Sequence, residues 1–159
     1  MSRGYAHLRM IAIGTVLAVT ALPVSVGGSP ADTPAGENGS RFETVDIFIA
    51  GDTPLAAYQI EVIVDGQASV VGVEGGVAPF VEPPLYDPAA LAGGRIIIAA
   101  YDVVGALPAG RHRVATLHMH IAGGSVDYRI AIQAAAGVDG RRIVPAPTAE
   151  FSLRKELHR

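Results

Sequence analysis

The sequence predicts an all-β fold, two packed antiparallel sheets forming a sandwich, on three observations. Beyond Arg41 the apolar residues recur with a period of two, no stretch of ten or more residues carries a helical apolar stripe, and clusters of Gly, Pro and Asp interrupt the pattern at short intervals. Period two sends successive side chains to opposite faces of a strand, so it marks a sheet with one buried side. Several short strands punctuated in this way suggest two layers packed face to face.

Taken in order, the chain opens with Arg3 and Arg9 ahead of an apolar run from Met10 to Val26 and then small residues. That is the layout of a secretory signal peptide, and residues 1–28 are expected to be removed on export. A retained membrane anchor is the alternative, but the run is shorter than the ~20 residues of a spanning helix and Pro23 interrupts its end. Residues 29–41, small, polar and rich in breakers, are expected to be a flexible leader. The sandwich is assigned to residues 42–153, and 154–159, beginning Arg154-Lys155, to a basic tail.

Within the domain, Val45, Ile47 and Ile49 alternate with Thr44, Asp46 and Phe48, and Tyr58, Ile60, Val62 and Val64 alternate with Gln59, Glu61 and Ile63. Ala115, Leu117, Met119 and Ile121 are expected inside, opposite Thr116, His118 and His120. Tyr128, Ile130 and Ile132 repeat the pattern. The predicted core therefore includes Ile60, Val62, Leu117, Met119, Ile130 and Ile132. Shorter strands are expected at Ser69–Val73, Arg95–Asp102 and Arg142–Val144, with a closing strand at Ala149–Leu153. Breaks are expected at Asp65-Gly66, Gly75-Gly76 and Gly123-Gly124, among others. Proline-rich Pro79–Leu91 cannot be an interior strand; it reads as a surface excursion ending in a helical turn at Pro88–Leu91.

The chain has 159 residues, half of them apolar and 17% charged, with neither Cys nor Trp. Without Cys there are no disulfides, thiol nucleophiles, Cys-bound zinc or cysteine-linked lipid, so the roughly 130 residues after the leader must bury a sufficient core unaided. The formal charge of −3 falls by a further two when Arg3 and Arg9 leave. Basic residues are scattered apart from Arg111-His112-Arg113 and the tail, which argues against nucleic acid as a partner.

Candidate chemistry is sparse. His118 and His120 share a strand face at a spacing that can serve a metal, but a third ligand is not identifiable and two solvated histidines are the simpler reading; no metal is assigned. The five serines beyond residue 28 include none in a nucleophile elbow, and no phosphate loop, dinucleotide fingerprint or calcium loop occurs. No catalytic residue and no cofactor is assigned. Tyr86 and Tyr101 are the rings best placed to stack on a sugar.

Four segments in order carry a family resemblance. Gly51-Asp52-Thr53-Pro54-Leu55-Ala56-Ala57-Tyr58 leads an alternating strand to Asp65; Ser69 to Val73 ends at a Glu74-Gly75-Gly76 turn; Gly94 to Tyr101 and Gly110 to Ile121 follow. Together they resemble the second to sixth strands of cohesin domains over about residues 42–151. The resemblance implies an exported β-sandwich of jelly-roll topology that binds dockerin modules of partner proteins, the calcium being carried by the partner, in assemblies for polysaccharide catabolism. It implies a secreted, periplasmic or cell-surface location with no membrane contact after cleavage. Carried over, it implies a partner-binding sheet showing Ala57, Gln59, Glu61, Ile63, Ile97, Ala99, Tyr101, Thr116, His118 and His120, with Gln59, Glu61, Ile63, Tyr101, Thr116, His118 and His120 as the binding residues. A carbohydrate-binding or structural cell-envelope module is the alternative function.

Overall fold

A computed structural model describes residues 39–154. The expected signal peptide and most of the leader and tail lie outside them. Six strands follow one another, β1 (Arg41–Gly51), β2 (Ala57–Gly75), β3 (Leu85–Tyr86), β4 (Arg95–Tyr101), β5 (Gly110–Ala136) and β6 (Thr148–Arg154), with no α-helix among the described residues. All pair antiparallel in one hydrogen-bonded sheet of order β3-β4-β2-β5-β1-β6. The all-β, antiparallel expectation is met.

The alternation argument places the core well. Val45, Ile47, Ile49, Tyr58, Ile60, Val62, Leu117, Met119 and Ile121 are buried as expected, joined by Ile96 and Ile98 of β4. Ile130 and Ile132 are corrections: both are only partly buried, packed against the cluster rather than within it. In β4, apolar on both faces, Ile96 and Ile98 turn inward while Ile97 and Ala99 are half-buried and Tyr101 is exposed.

The largest departure concerns length. Asp65-Gly66 and Gly123-Gly124 were expected to end strands, yet β2 and β5 run through them for 19 and 27 residues. At ~3.3 Å per residue a straight β5 would reach roughly 90 Å, far beyond a domain of this size. The ribbon of β2 and β5 instead changes register beside these glycines, around Gln67 and its partner Gly123, where Gly66 has φ 134° and Gly124 φ 70°. Flexible backbone here makes bulges in a continuing ladder instead of a turn that ends it.

Side-chain contacts join segments of the sheet that are not ladder neighbours. Tyr58, in the first half of β2, donates its hydroxyl to the Val114 carbonyl in the first half of β5 at 3.0 Å. Tyr128, in the second half of β5, reaches Glu43 of β1 at 3.3 Å and packs against Phe151 of β6, ring centres 5.6 Å apart. Burial pushes both phenols well above the ordinary tyrosine value; for Tyr128 the Glu43 charge adds to the effect. They remain neutral donors, which suits their positions.

The excursion after Gly76 is better anchored than its prolines suggest. Phe80 is buried edge-on against Tyr58, ring centres 5.2 Å apart, and Leu85–Tyr86 pairs with β4 as a two-residue edge strand. Its helical turn forms as expected, a 3-10 turn at Pro88–Ala92 capped by Asp87. The expected strand at Arg142–Val144 is reduced to one bridge, Ala136 to Arg142, because the following Pro145 offers no N–H to extend a ladder.

Candidate functional site

The outer side of β4, β2 and the second half of β5 forms a graded surface, set by register. Ala57 lies between Tyr101 and Ala136, Gln59 between Ala99 and Ala134, Glu61 between Ile97 and Ala131, and Ile63 between Arg95 and Arg129. One end is therefore aromatic and alanine-rich, the other charged. Glu61 accepts hydrogen bonds from Arg95 and from Gln133, the latter at 2.8 Å, and Arg129 pairs with Asp65 at 2.8 Å. Both arginines beside Ile63 are thus held by carboxylates, and Ile63 itself is half-buried.

At the apolar end a shallow groove of about 360 Å³ is lined by Ala57, Gln59, Ala99 and Ala134 together with Tyr101 and Arg142. Tyr101 is 69% exposed. Ala57 and Ala99 of this floor are among the residues the resemblance implies for the partner-binding face, whereas Ala134 and Arg142 carry no signal in the sequence, because a short or lone basic side chain at an outward position does not by itself distinguish a binding floor from an ordinary surface.

Thr116, His118 and His120 do not join this surface. They lie on the first half of β5, opposite Asp46, Thr44 and Phe42 of β1 and Glu74, Gly72 and Ser69 of β2. The single face implied by the resemblance is therefore two groups: Gln59, Glu61, Ile63 and Tyr101 in one, and the three β5 residues in the other. The cause is the continuity of β2 and β5, whose separate halves pair with each other.

Thr116 is a second correction, being fully buried. Its hydroxyl takes a hydrogen bond from Arg113 at 2.6 Å and gives one to Asp46 at 2.7 Å, while Arg154 holds the same carboxylate at 2.6 Å. A buried hydroxyl so engaged offers nothing to a partner. His118 Nε2 lies 3.0 Å from Glu74, its ring lodged over Gly72, where an added Cβ would stand 3.5 Å away. His120 Nε2 meets the Ser40 hydroxyl at 2.8 Å, beside the Phe42 ring. The two imidazoles thus engage different neighbours, and among the described residues no group of three or more His, Cys, Asp or Glu side chains is gathered for a metal ion.

Around Asp46, burial opposes ionisation, but hydrogen bonds from Arg154 and Thr116 and the charges of Arg154 and Arg113 outweigh it and hold the carboxyl below the usual range. A depressed folded pKa contributes stability that is complete above the unfolded value, near 4, and is lost as pH falls through the folded one. Asp46→Asn should therefore lower stability by about 1 kcal/mol at pH 7. The difference in Tm from the parent should shrink below pH 4, as read by thermal melts across that range; a difference independent of pH would show that the charge of Asp46 does not contribute.

Compared with known proteins, the chain matches no family model, no curated protein and no solved structure.

Proposed function

We propose that the chain is an exported, non-catalytic recognition module, a cohesin-like two-layer sandwich of jelly-roll topology that binds a dockerin-type protein partner. The two-layer reading is supported by the bond from Tyr58 to Val114, which joins halves of β2 and β5 that are not ladder neighbours, and by the bond from Tyr128 in the second half of β5 to Glu43 of β1, whose ladder partner is in the first half. The observation that carries the function is the graded face: an exposed Tyr101 beside an alanine floor, continuing into Gln59, Glu61 and Ile63. Aromatic anchors surrounded by adaptable polar groups are what protein interfaces use at their centres. The binding face in this reading is Gln59, Glu61, Ile63 and Tyr101, without the three β5 residues. Calcium belongs to the partner, and the location is secreted, periplasmic or at the cell surface.

Tyr101→Ala and Ile63→Asp are each expected to weaken capture of a calcium-loaded dockerin module by roughly thirtyfold, the loss typical of an interface anchor. His118→Ala should leave it within twofold. Surface-bound dockerin and the full chain in solution make the measurement. The groove lined by Tyr101 favours one second reading, stacking of a sugar ring on the phenol. Retention on polysaccharide that needs Tyr101, with no calcium-dependent capture, would replace the dockerin reading by a carbohydrate-binding or envelope role.

A further inference from the structure

We propose that β6 pairs with β6 of a second copy of this chain, antiparallel about a twofold axis at Ser152. Among the described residues β6 lies at one edge of the sheet and pairs with β1 alone, over seven consecutive residues without a register shift. It contains no proline. Its outer backbone edge is therefore regular, with neither of the interruptions, bulge or proline, that commonly blunt an edge against a further strand. The apolar layer of the sheet runs out to this edge. Leu153 is paired with Val45 and Phe151 with Ile47, so both lie on the buried side of β1. Val45 and Ile47 are 1% and 0% exposed; one strand further out, Phe151 is 40% and Leu153 49% exposed. A strand beside β6 would continue the row and cover both.

The order of residues in β6 identifies the occupant. Around Ser152 the strand reads Glu150-Phe151-Ser152-Leu153-Arg154, opposite charges two places to either side and large apolar residues one place to either side. Laid antiparallel on itself with Ser152 opposite Ser152, it sets Glu150 against Arg154 of the second copy and Arg154 against its Glu150. Phe151 meets Leu153 twice, on the uncovered apolar side. Opposed residues of an antiparallel pair share a face, so every match joins side chains that point the same way. Other arrangements lose these matches. Parallel pairing in register stacks like charges, and an axis at Phe151 puts Glu150 opposite Ser152 and Arg154 opposite Thr148. A slip of one residue carries the apolar pair to the charged face. A second copy holds the complementary order by identity.

The charged groups are already set on their face within one copy. Arg111 donates to Glu150 at 2.8 Å and Arg154 to Asp46 at 2.6 Å, so both side chains stand on the side of the sheet where the match is made. Carboxylates and guanidinium groups accept more than one such partner, and the contact joins two existing pairs into one network. The pairing is isologous: it uses the same edge of both copies and closes at two. Five residue pairs make a small contact, so the dimer should separate on dilution. Strands β2, β5 and β1 stand between β6 and β4 in the sheet order, and the contact does not depend on the recognition face proposed above.

Because the chain has no Cys, Ser152→Cys in the full chain places one thiol from each copy on the axis. Opposed Cα atoms stand about 4.5 to 5.5 Å apart, within disulfide reach. Mild oxidation should give a disulfide dimer roughly tenfold faster than with Val71→Cys, an exposed site on β2, or Glu150→Cys, which lies opposite Arg154. Val71→Cys also registers association made elsewhere in the chain, which brings thiols together without favouring position 152. Leu153→Asp, at a half-exposed site, should slow the Ser152→Cys cross-link roughly tenfold with the circular dichroism spectrum unchanged, because it sets a carboxylate against Phe151 of the second copy. Cross-linking at 152 no faster than at 71 would overturn the proposal. Faster cross-linking in a mixture of Glu150→Cys and Ser152→Cys copies than in Ser152→Cys alone would place the axis at Phe151 and overturn the charge match.

Discussion

Gly76→Ala is expected to prevent the chain from holding its native sheet. A Cβ at this position would stand 2.1 Å from the Arg113 carbonyl oxygen and 2.5 Å from the Val114 Cα. Both are backbone of a central strand, so no side chain can swing aside to make room. The neighbouring bonds are tight as well: Gly76 N–H reaches Phe80 O at 2.7 Å and Val77 N–H reaches Arg113 O at 2.9 Å. Together they bring the chain beneath β5 and deliver Phe80 to its place against Tyr58. Lifting this crossing would also disturb the bond from Tyr58 to Val114. The cost should exceed ~3 kcal/mol, the upper part of the usual range for an overpacked interior. Urea unfolding checks it: a midpoint within experimental error of the parent would mean that the crossing is looser than described. Gly76→Ser should fail in the same way, because the obstacle is the Cβ and not its polarity.

Leu117→Ala should lower stability by ~2 to 5 kcal/mol. Leu117 is fully buried between Val45 of β1 and Val73 of β2 on the strand that contacts most of the sheet. Removing its isopropyl group leaves a cavity bounded by ladders on both sides, which cannot close without breaking backbone hydrogen bonds. With small domains stable by only about 5 to 15 kcal/mol, such a loss approaches the whole margin for this chain. Chemical denaturation should show a lower midpoint with an unchanged slope, and substitution of exposed Val71 provides the comparison. An unchanged midpoint would place Leu117 outside the core and the register of β5 one residue away from that described.

Much of this fold was legible because alternation is a local property. Each residue advances the strand by a half-turn of side-chain direction, so Ile60, Val62, Leu117 and Met119 declared their buried face without knowledge of any partner strand. Ile130 and Ile132 carry the same pattern yet lie partly exposed, because how deeply a face is covered depends on what packs over it, and their neighbours do not cover them fully. Thr116 shows the converse. Its place in the alternation points outward, but Arg113 and Asp46, the latter held by Arg154, satisfy its hydroxyl. A polar side chain is stable in the interior once its hydrogen bonds are made, and those partners come from distant parts of the chain.

The binding face divides along the same line. That Gln59, Glu61 and Ile63 share a side follows from their spacing alone. That Tyr101 and Ala136 flank Ala57, while His118 and His120 belong elsewhere, follows from pairings between residues tens of positions apart. Local pattern was enough to establish an all-β chain without disulfides, most of its buried residues, the helical turn after Pro88 and the closing strand at the end. The folded arrangement was needed to show that Gly66 and Gly124 lie in bulges within two long strands and that Gly76 is a crossing point. Side-chain direction and turn chemistry are set by a residue and its immediate neighbours, whereas pairing, bending and exposure are set by which distant segments can bury apolar surface and satisfy backbone hydrogen bonds together.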